Sequence, residues 1–191
     1  LSLNLTKAAG VAIIKRLVAE ADVVVESFAG GVISKLGLGY DELRKVNPDI
    51  IMLSTCMMGQ TGPKATHPGY GWHLTATAGF FHITGWPDRA PLAPDGPYTD
   101  FIVPRFSIPL LLSALDYRRR TGRGQYLDIA QYEPAMHFMA PLILDYLANG
   151  RVAGRNGNRT ADAAPHGAFH CCGDDRWCAV AVFSDEDWRV F

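Results

Sequence analysis

Two short apolar segments, ADVVVESF (21–28) and PDIIMLST (48–55), constrain the fold of this chain more than any other feature of its sequence. Both are rich in β-branched or apolar residues without regular polar alternation, as is typical of strands buried on both faces of a parallel sheet. Helical periodicity precedes the first segment over residues 7–21 and separates the two over residues 40–47. Because strands that alternate with helices build βαβ units, the sequence predicts an α/β fold with a Rossmann-like parallel sheet.

The rest of the first 150 residues extends this pattern. Residues 84–99 contain four prolines and two glycines, which predicts a long loop of the kind that is often functional. The helix after this loop should end at Gly122, and Pro109 should kink it or mark its true start. The remaining predicted elements are strands over 1–5 and 124–130 and helices over 70–82, 103–120 and 131–149.

The composition changes near residue 150. The stretch 149–167 is polar and contains four glycines, which predicts a linker over 151–165, and AFHCCGDDRWCAVAVF (168–183) predicts a β-hairpin. Ser184 and Asp187 fit the capping box of a last helix. The sequence therefore predicts a large α/β domain over 1–150 and the beginning of a smaller α+β domain over 166–191. Since the chain starts at Leu1 rather than Met, we expect it to be part of a longer polypeptide.

Charge and hydropathy argue against two classes of partner. The net charge is −1 and no apolar run approaches the roughly 20 residues that a bilayer requires, so we expect neither nucleic acid nor membrane as a partner. The basic run RRRTGRG (118–124) is favourable at a helix C-terminus for electrostatic reasons alone. Four cysteines without a secretory signal predict reduced thiols in the cytoplasm.

A metal site is a possible interpretation of the histidines and cysteines near the hairpin. The adjacent Cys171 and Cys172 would point to opposite faces of a strand, which prevents them from converging on one ion. We therefore expect no metal. The histidines and cysteines of this region are His166, His170, Cys171, Cys172 and Cys178.

Asp100 is the one acid that follows the long loop directly, in the stretch PYTDFIVPR. Two interpretations are open from the residues alone. An aspartate at the start of a helix commonly caps it by accepting backbone N–H bonds. A carboxylate at a junction between a loop and a helix can also face a ligand and act as a base or a nucleophile.

Several segments in order resemble the class III CoA-transferases, a family that includes formyl-CoA, carnitine and benzylsuccinate CoA-transferases. They are ADVVVESFAGGVISKLGLGYDELRKVNPDIIMLS, GQTGP, PGYGW, AGFFHITG, YTD and RRRTGRGQYLDIA. The resemblance implies that Asp100 attacks an acyl-CoA thioester and forms a mixed anhydride and then an aspartyl-CoA thioester. It implies coenzyme A and acyl-CoA as substrates, a carboxylic acid as acceptor and no permanently bound cofactor.

The resemblance also implies the residues that contact CoA. Ser27, Phe28, Lys35 and Leu36 fall where the family contacts CoA, with Lys35 near the phosphates, although Lys35 also fits a solvated helix face. Tyr70 lies at the family spacing before Asp100. The sequence departs from the family pattern in ESFAGG, where Ser27 replaces the usual Asn, and in DFIVPR after the nucleophile.

The resemblance leaves alternative functions to weigh. Related racemases that act on 2-methylacyl-CoA carry a histidine where this chain has Tyr70, and a phenol with an ordinary pKa of about 10 is a poor base near pH 7. A non-catalytic CoA-binding half of a tandem or heteromeric enzyme is a third possibility. The family further implies an interlocked homodimer or a close heterodimer. A bulky or aromatic acyl group, or simple core packing, would explain the aromatic residues Trp72, Phe80, Phe81 and Trp86.

Overall fold

A three-stranded parallel sheet forms the centre of the molecule in the computed structural model, which describes all residues from 1 to 191. Its strands are β1 (Val23–Glu26), β2 (Ile51–Cys56) and β3 (Tyr126–Ala130), in the order β1-β2-β3. Val23 pairs with Ile51, and Met52 pairs with Tyr126. The α/β class with a parallel sheet, predicted from the apolar runs, is confirmed.

The central strand β2 is buried on both faces. Ile51 and Met52 are fully buried, and Leu53 is nearly so. Met52 packs with the helices on one face, whereas Leu53 packs with Val103 and Ile129 on the other. The absence of polar alternation in PDIIMLST follows from this two-sided burial.

Ten helices surround the sheet or follow it in the chain. They are α1 (Ala8–Val18), α2 (Val32–Lys35), α3 (Tyr40–Arg44), α4 (Gly71–Thr77), α5 (Phe80–Ile83), α6 (Tyr98–Ile102), α7 (Pro104–Thr121), α8 (Tyr132–Phe138), α9 (Ala140–Asn149) and α10 (Asp185–Val190). None of them combines the length and the apolarity that crossing a lipid bilayer requires.

A second apolar cluster supports the region between β2 and β3. Ala78, Phe80, Ile102, Ala135 and Met139 are buried together there, from helices α5, α6 and α8 and from the turns beside them. This cluster holds the short helix α6 by Ile102, which is only 1% exposed. The residue two positions earlier is Asp100, so the cluster fixes the helix that carries this carboxylate.

The last part of the chain contains the predicted hairpin. Strands β4 (His166–His170) and β5 (Trp177–Ala181) pair antiparallel, and α10 follows. The Ser184 hydroxyl accepts a hydrogen bond from the Asp187 N–H at 3.1 Å, which confirms the capping box. All four cysteines are free, and no three His, Cys, Asp or Glu side chains are grouped closely enough to hold a metal ion. The domain division at residues 150 and 166 stays a prediction.

Several predicted elements were wrong in their extent. Residues 1–4 have no regular secondary structure and residue 5 begins a turn, so the predicted strand over 1–5 does not form. The helix predicted over 70–82 is broken because Gly79 adopts a φ of +94°, which right-handed helices do not accept. The helix predicted over 131–149 is likewise divided, at Met139. Pro109 lies inside α7 and neither ends it nor starts it.

The basic run at the end of α7 is used within the molecule. Arg118 donates a hydrogen bond to the Asp22 carbonyl at 3.1 Å and pairs with the Asp22 carboxylate, which ties the helix end to the start of β1. Arg120 pairs with Asp116 one turn earlier. Gly122 ends the helix in the left-handed conformation, as predicted, with a φ of 69°.

Candidate active site

Helices α4 and α6 place Asp100 directly against Gly71. Gly71 is the first residue of α4, and Asp100 lies in the first turn of α6. A Cβ atom added to Gly71 would lie 2.6 Å from the Asp100 Cγ and 2.5 Å from the Pro97 Cβ. A side chain at position 71 would therefore displace the carboxylate, and glycine is what allows the two helix ends to come this close.

A buried group of hydroxyls joins the same two helix ends. The Thr75 hydroxyl donates to the Gly71 carbonyl at 2.7 Å, and the Thr99 hydroxyl lies 3.3 Å from both the Thr75 hydroxyl and the Gly71 carbonyl. The Thr99 N–H also donates to the Thr75 hydroxyl at 3.3 Å. Both threonine side chains are fully buried. We call Gly71, Thr75, Thr99 and Asp100 the aspartate corner.

The Asp100 carboxylate accepts no hydrogen bond from any residue of the chain, and the residue is exposed to solvent. Its own N–H donates to the Pro97 carbonyl at 2.9 Å, and Pro97 holds the cap position of α6. Burial raises the pKa of the Asp100 carboxyl above its ordinary value of 3.8. Because Pro97 holds the cap position and no side chain caps α6, the interpretation of Asp100 as a helix cap is wrong.

Tyr70 precedes Gly71 and caps α4 with its backbone. Its N–H donates to the Nδ1 of His73 at 3.2 Å, and the two rings lie 6.1 Å apart. The side chain of Tyr70 is 78% exposed. The phenol is thus exposed, on the residue that directly precedes Gly71 of the aspartate corner. Sequence reasoning missed His73, whose position three residues after the cap is the signal that could have identified it.

A second polar group lies at the carboxyl end of the sheet and holds the segment that contains Ser27 and Phe28. The Gln60 amide donates to the Glu26 carboxylate at 3.1 Å and to the Phe28 carbonyl at 3.2 Å, and its oxygen accepts from the Gly31 N–H at 3.0 Å. The Phe28 N–H donates to the Glu26 carboxylate at 2.8 Å. These bonds fix the backbone that presents Ser27 and Phe28, both of which are exposed.

The same glutamine reaches the third strand of the sheet. Its backbone N–H donates to the two Asp128 carboxylate oxygens at 3.1 and 3.0 Å. We call Glu26, Gln60 and Asp128 the glutamine corner. Gln60 lies in the GQTGP segment that carried part of the family resemblance, but its role as the connection among β1, β2 and β3 was not predicted.

The two corners are close along the chain that leaves β2. Met57 directly follows that strand, and a Cβ atom added to Gly69 would lie 2.5 Å from the Met57 sulfur. The segment that leads to Tyr70 therefore packs against the residue from which the Gln60 loop departs. Lys35 and Leu36, in contrast, line a separate surface cavity of about 560 Å³ with residues from α1 and the segment before it.

The aromatic residues singled out in the sequence have different environments. Phe80 is buried and makes an edge contact with Tyr98 at 5.2 Å, so it belongs to the core. Trp72 and Trp86 are each nearly half exposed, and Trp72 contacts Phe81 edge-on at 6.2 Å. Phe81 is partly buried, so the two tryptophans are the most accessible of the four aromatic residues.

Comparison with known proteins links this geometry to a family. The profile of CoA-transferase family III matches residues 1–191. The chain is 35% identical over 187 residues to the succinyl-CoA–L-malate CoA-transferase beta subunit of Chloroflexus aurantiacus, covering 97% of this chain and 46% of that protein. It is also 35% identical to the acetyl-CoA:oxalate CoA-transferase of Acetobacter aceti, covering 91% of this chain and 47% of that protein.

Solved structures agree with the sequence matches. A CAIB/BAIF family protein from Brucella suis superposes with a TM-score of 0.82 at 35% identity, covering 89% of this chain and 45% of that one. The chain thus spans about half the length of the curated relatives and solved structures that it matches.

Proposed function

The chain belongs to CoA-transferase family III, and we propose that it carries the nucleophile of an enzyme that moves coenzyme A from an acyl-CoA donor to a carboxylic acid. Asp100 is that nucleophile. The observation that carries the proposal is the state of its carboxylate, which lies against Gly71 without a hydrogen bond and whose pKa is raised by burial.

A carboxylate in this state is suited to attack a thioester. Hydrogen bonds and hydration stabilise the anion and reduce its nucleophilicity; Asp100 accepts no hydrogen bond from the chain, and its partial burial removes part of its hydration. One Asp100 oxygen bonds to the thioester carbonyl carbon, the carbon–sulfur bond breaks, and CoA leaves as a thiolate. The product is a mixed anhydride between the acyl group and Asp100.

The anhydride passes CoA onward without a further reagent. The CoA thiolate attacks the Asp100 carbonyl carbon, the donor acid leaves as its carboxylate, and an aspartyl-CoA thioester remains. The acceptor carboxylate then attacks this thioester and expels the thiolate, which attacks the acceptor acyl carbon of the new anhydride. Asp100 is released as a carboxylate and the acceptor leaves as its CoA thioester, so that atoms and charge balance over the cycle.

The surrounding residues divide between two tasks in this proposal. Tyr70 directly precedes Gly71 of the aspartate corner and positions the acyl group, while Ser27 and Phe28 contact CoA from the backbone that Gln60 holds. Lys35 and Leu36 line their own cavity, where Lys7 and Lys15 add positive charge that suits the CoA phosphates. Trp72 and Trp86, the most accessible of the four aromatic residues, can contact an acyl group.

We also propose that the full-length protein is cytoplasmic and assembles as an interlocked dimer, with the domain division at residues 150 and 166 marking where the chain crosses. The C. aurantiacus relatives, named as alpha and beta subunits of one transferase, make a heterodimer a second possible form. Light scattering should give a dimer mass, and a monomer would contradict this part of the proposal.

Chemical trapping of the intermediate tests the role of Asp100. The full-length enzyme is incubated with an acyl-CoA donor and then with hydroxylamine, which converts an activated carboxyl group into a hydroxamate. Mass spectrometry should find the hydroxamate on the peptide that carries Asp100. The Asp100→Asn variant should fold, bind CoA and lose transferase activity by several orders of magnitude, on the order of 10³-fold or more.

Asp95 provides the matched control. It lies five residues earlier in the loop before α6, and Asp95→Asn changes the same charge without touching Gly71. This variant should keep its rate and its hydroxamate on Asp100. A hydroxamate that maps to another acid, or a near-native rate in Asp100→Asn, would overturn the assignment.

A further inference from the structure

We infer that Thr99 and Thr75 are positioning residues for Asp100, and that their hydroxyl groups set the angle at which the carboxylate meets the thioester. This inference rests on the proposed role of Asp100 as nucleophile. It extends that role to two buried side chains that do not touch the carboxylate and would not touch a substrate.

The hydrogen bonds of this pair are concentrated on one backbone carbonyl. Each hydroxyl has one proton to donate, and the 2.7 Å contact assigns the Thr75 proton to the Gly71 carbonyl. The Thr99 hydroxyl donates either to the same carbonyl or to Thr75, both at 3.3 Å. Thr75 in turn accepts the Thr99 N–H. The first turn of α6 is thereby bonded to the first turn of α4.

These bonds act on the two residues that define the aspartate corner. Gly71 supplies the carbonyl that both hydroxyls approach, and Thr99 is bonded covalently to Asp100. Helix α6 has only five residues, too few to be stable in isolation, so its orientation depends on what it is attached to. Without the hydroxyl pair, the packing of Ile102 still attaches the end of the helix, but nothing polar attaches its beginning.

Burial alone does not account for two hydroxyls at this place. Both side chains are fully buried, and valine has nearly the same shape and would fill the space without any polar group to satisfy. Replacing both partners of a buried hydrogen bond by apolar groups is often nearly neutral for stability. A hydrogen bond depends on angle, whereas an apolar contact does not. The hydrogen-bonded hydroxyls of Thr75 and Thr99 are therefore suited to orient the neighbouring Asp100.

The experiment compares hydroxyl removal with hydroxyl retention in the full-length enzyme. Because a misplacement of about 1 Å can cost on the order of 100-fold in rate, Thr99→Val should lower kcat by about 10- to 100-fold. KM for the acyl-CoA should change little, since the pair does not contact CoA. The rate of hydroxamate formation on Asp100 should fall with kcat, and Thr99→Ser, which keeps the hydroxyl, should restore most of it.

Thr55 offers a matched control for the removal of a buried hydroxyl. Its Oγ1 atom is buried and has no hydrogen-bond partner, so Thr55→Val deletes the same atom without breaking a bond. This variant should keep its kcat. If Thr99→Val does not fold, Thr75→Val and Thr99→Ser carry the same comparison.

The outcomes separate the inference from the proposed function. A normal hydroxamate on Asp100 in both the wild type and the valine variants would overturn only the positioning role, as would a Thr99→Ser enzyme as slow as Thr99→Val. A wild-type enzyme that gives no hydroxamate on Asp100 would overturn the proposed function itself. Slow labelling in Thr99→Val, with recovery in Thr99→Ser and an unchanged KM, supports the inference.

Discussion

The glutamine corner and the aspartate corner treat their carboxylates in opposite ways. In the glutamine corner, the Glu26 carboxylate accepts hydrogen bonds from the Phe28 N–H and the Gln60 amide, and the Asp128 carboxylate accepts the Gln60 N–H. In the aspartate corner, all the hydrogen bonds belong to threonines and backbone, and the Asp100 carboxylate accepts none.

The difference separates two acids that hold the fold from the acid that we propose as the nucleophile. A carboxylate that accepts several hydrogen bonds is stabilised as an anion and connects the groups that donate to it. Glu26 and Asp128 both accept hydrogen bonds from Gln60, and these bonds connect the three strands. Asp100 is held by the residues around it and not by its own oxygens, so both lone-pair faces remain available for bond formation. Three predictions test this contrast.

Gly71→Ala should have the largest effect, and it should fall on activity. The added Cβ would meet the Asp100 Cγ at 2.6 Å, so the carboxylate must move, and a shift of this size should lower kcat by about 100-fold. Alanine favours the helical backbone that Gly71 already adopts, but the same Cβ would meet the Pro97 Cβ at 2.5 Å, so the variant should fold with some loss of stability. The measurements are steady-state rates and circular dichroism.

Gly154→Ala is the control for this substitution, since a Cβ there would meet no atom within 4 Å. Its rate should equal that of the wild type. An unchanged rate in Gly71→Ala would show that the close approach of Gly71 to Asp100 has no functional consequence.

Gln60→Leu should have an intermediate effect, and it should fall on stability. The change leaves the buried Glu26 carboxylate without one of its donors and removes bonds to Phe28 and Gly31, so unfolding should become easier by about 1–3 kcal/mol. Urea denaturation of the full-length protein measures the change.

Gln131→Leu sharpens this prediction because Gln131 is also partly buried but makes a single side-chain bond, to the neutral Thr55 carbonyl at 3.3 Å. The free energy of unfolding should fall less in Gln131→Leu, by about 1 kcal/mol or less. Equal losses for the two leucine variants would mean that the charged partners of Gln60 contribute nothing special.

Asp100→Asn should have the smallest effect on stability. It should raise the stability slightly, whereas Gln60→Leu lowers it. Because burial raises the pKa of Asp100, the folded protein binds this proton more readily than the unfolded chain does. Near neutral pH the Asp100 anion therefore destabilises the folded protein, and Asn removes this destabilisation. Below pH 3.8, the ordinary pKa of the group, Asp100 is protonated in both the folded and the unfolded chain, so the difference vanishes.

Thermal melting tests this sign. The variant should melt slightly higher than the wild type near pH 7, and the difference should disappear as the pH falls through the Asp100 titration. A variant that melts lower near neutral pH would indicate that the carboxylate supports the fold, as Glu26 and Asp128 do.

The fold was predictable from the sequence where the signal is local. The apolar runs around residues 21–28 and 48–55 identified β1 and β2, Gly122 identified the end of α7, and Ser184 with Asp187 identified the start of α10. The breaks at Gly79 and Met139 were missed because the apolar pattern continues on both sides of each break, so periodicity alone does not reveal them.

The candidate site was predictable only in part, because its contacts join residues far apart in the chain. The long loop and the family resemblance identified Asp100, and both local interpretations of that residue fitted the same sequence. What distinguishes them is the absence of a backbone donor, which depends on how α4 meets α6. The Thr75–Thr99 pair spans 24 residues and the Gln60–Asp128 pair spans 68, so neither leaves a pattern within a sequence window.

The pairing of β2 with β3 has a consequence for the order in which this protein folds. Met52 pairs with Tyr126, 74 residues later (126 − 52), and everything in the aspartate corner lies on the chain between them. Closing a loop of that length costs about 4 kcal/mol of chain entropy beyond a constant, before the sheet returns any stabilisation. Contacts of such long range form slowly. The segment that carries Asp100 is therefore enclosed between β2 and β3 only when β3 joins the sheet, and a nascent chain still lacking β3 presents Asp100 outside the complete fold.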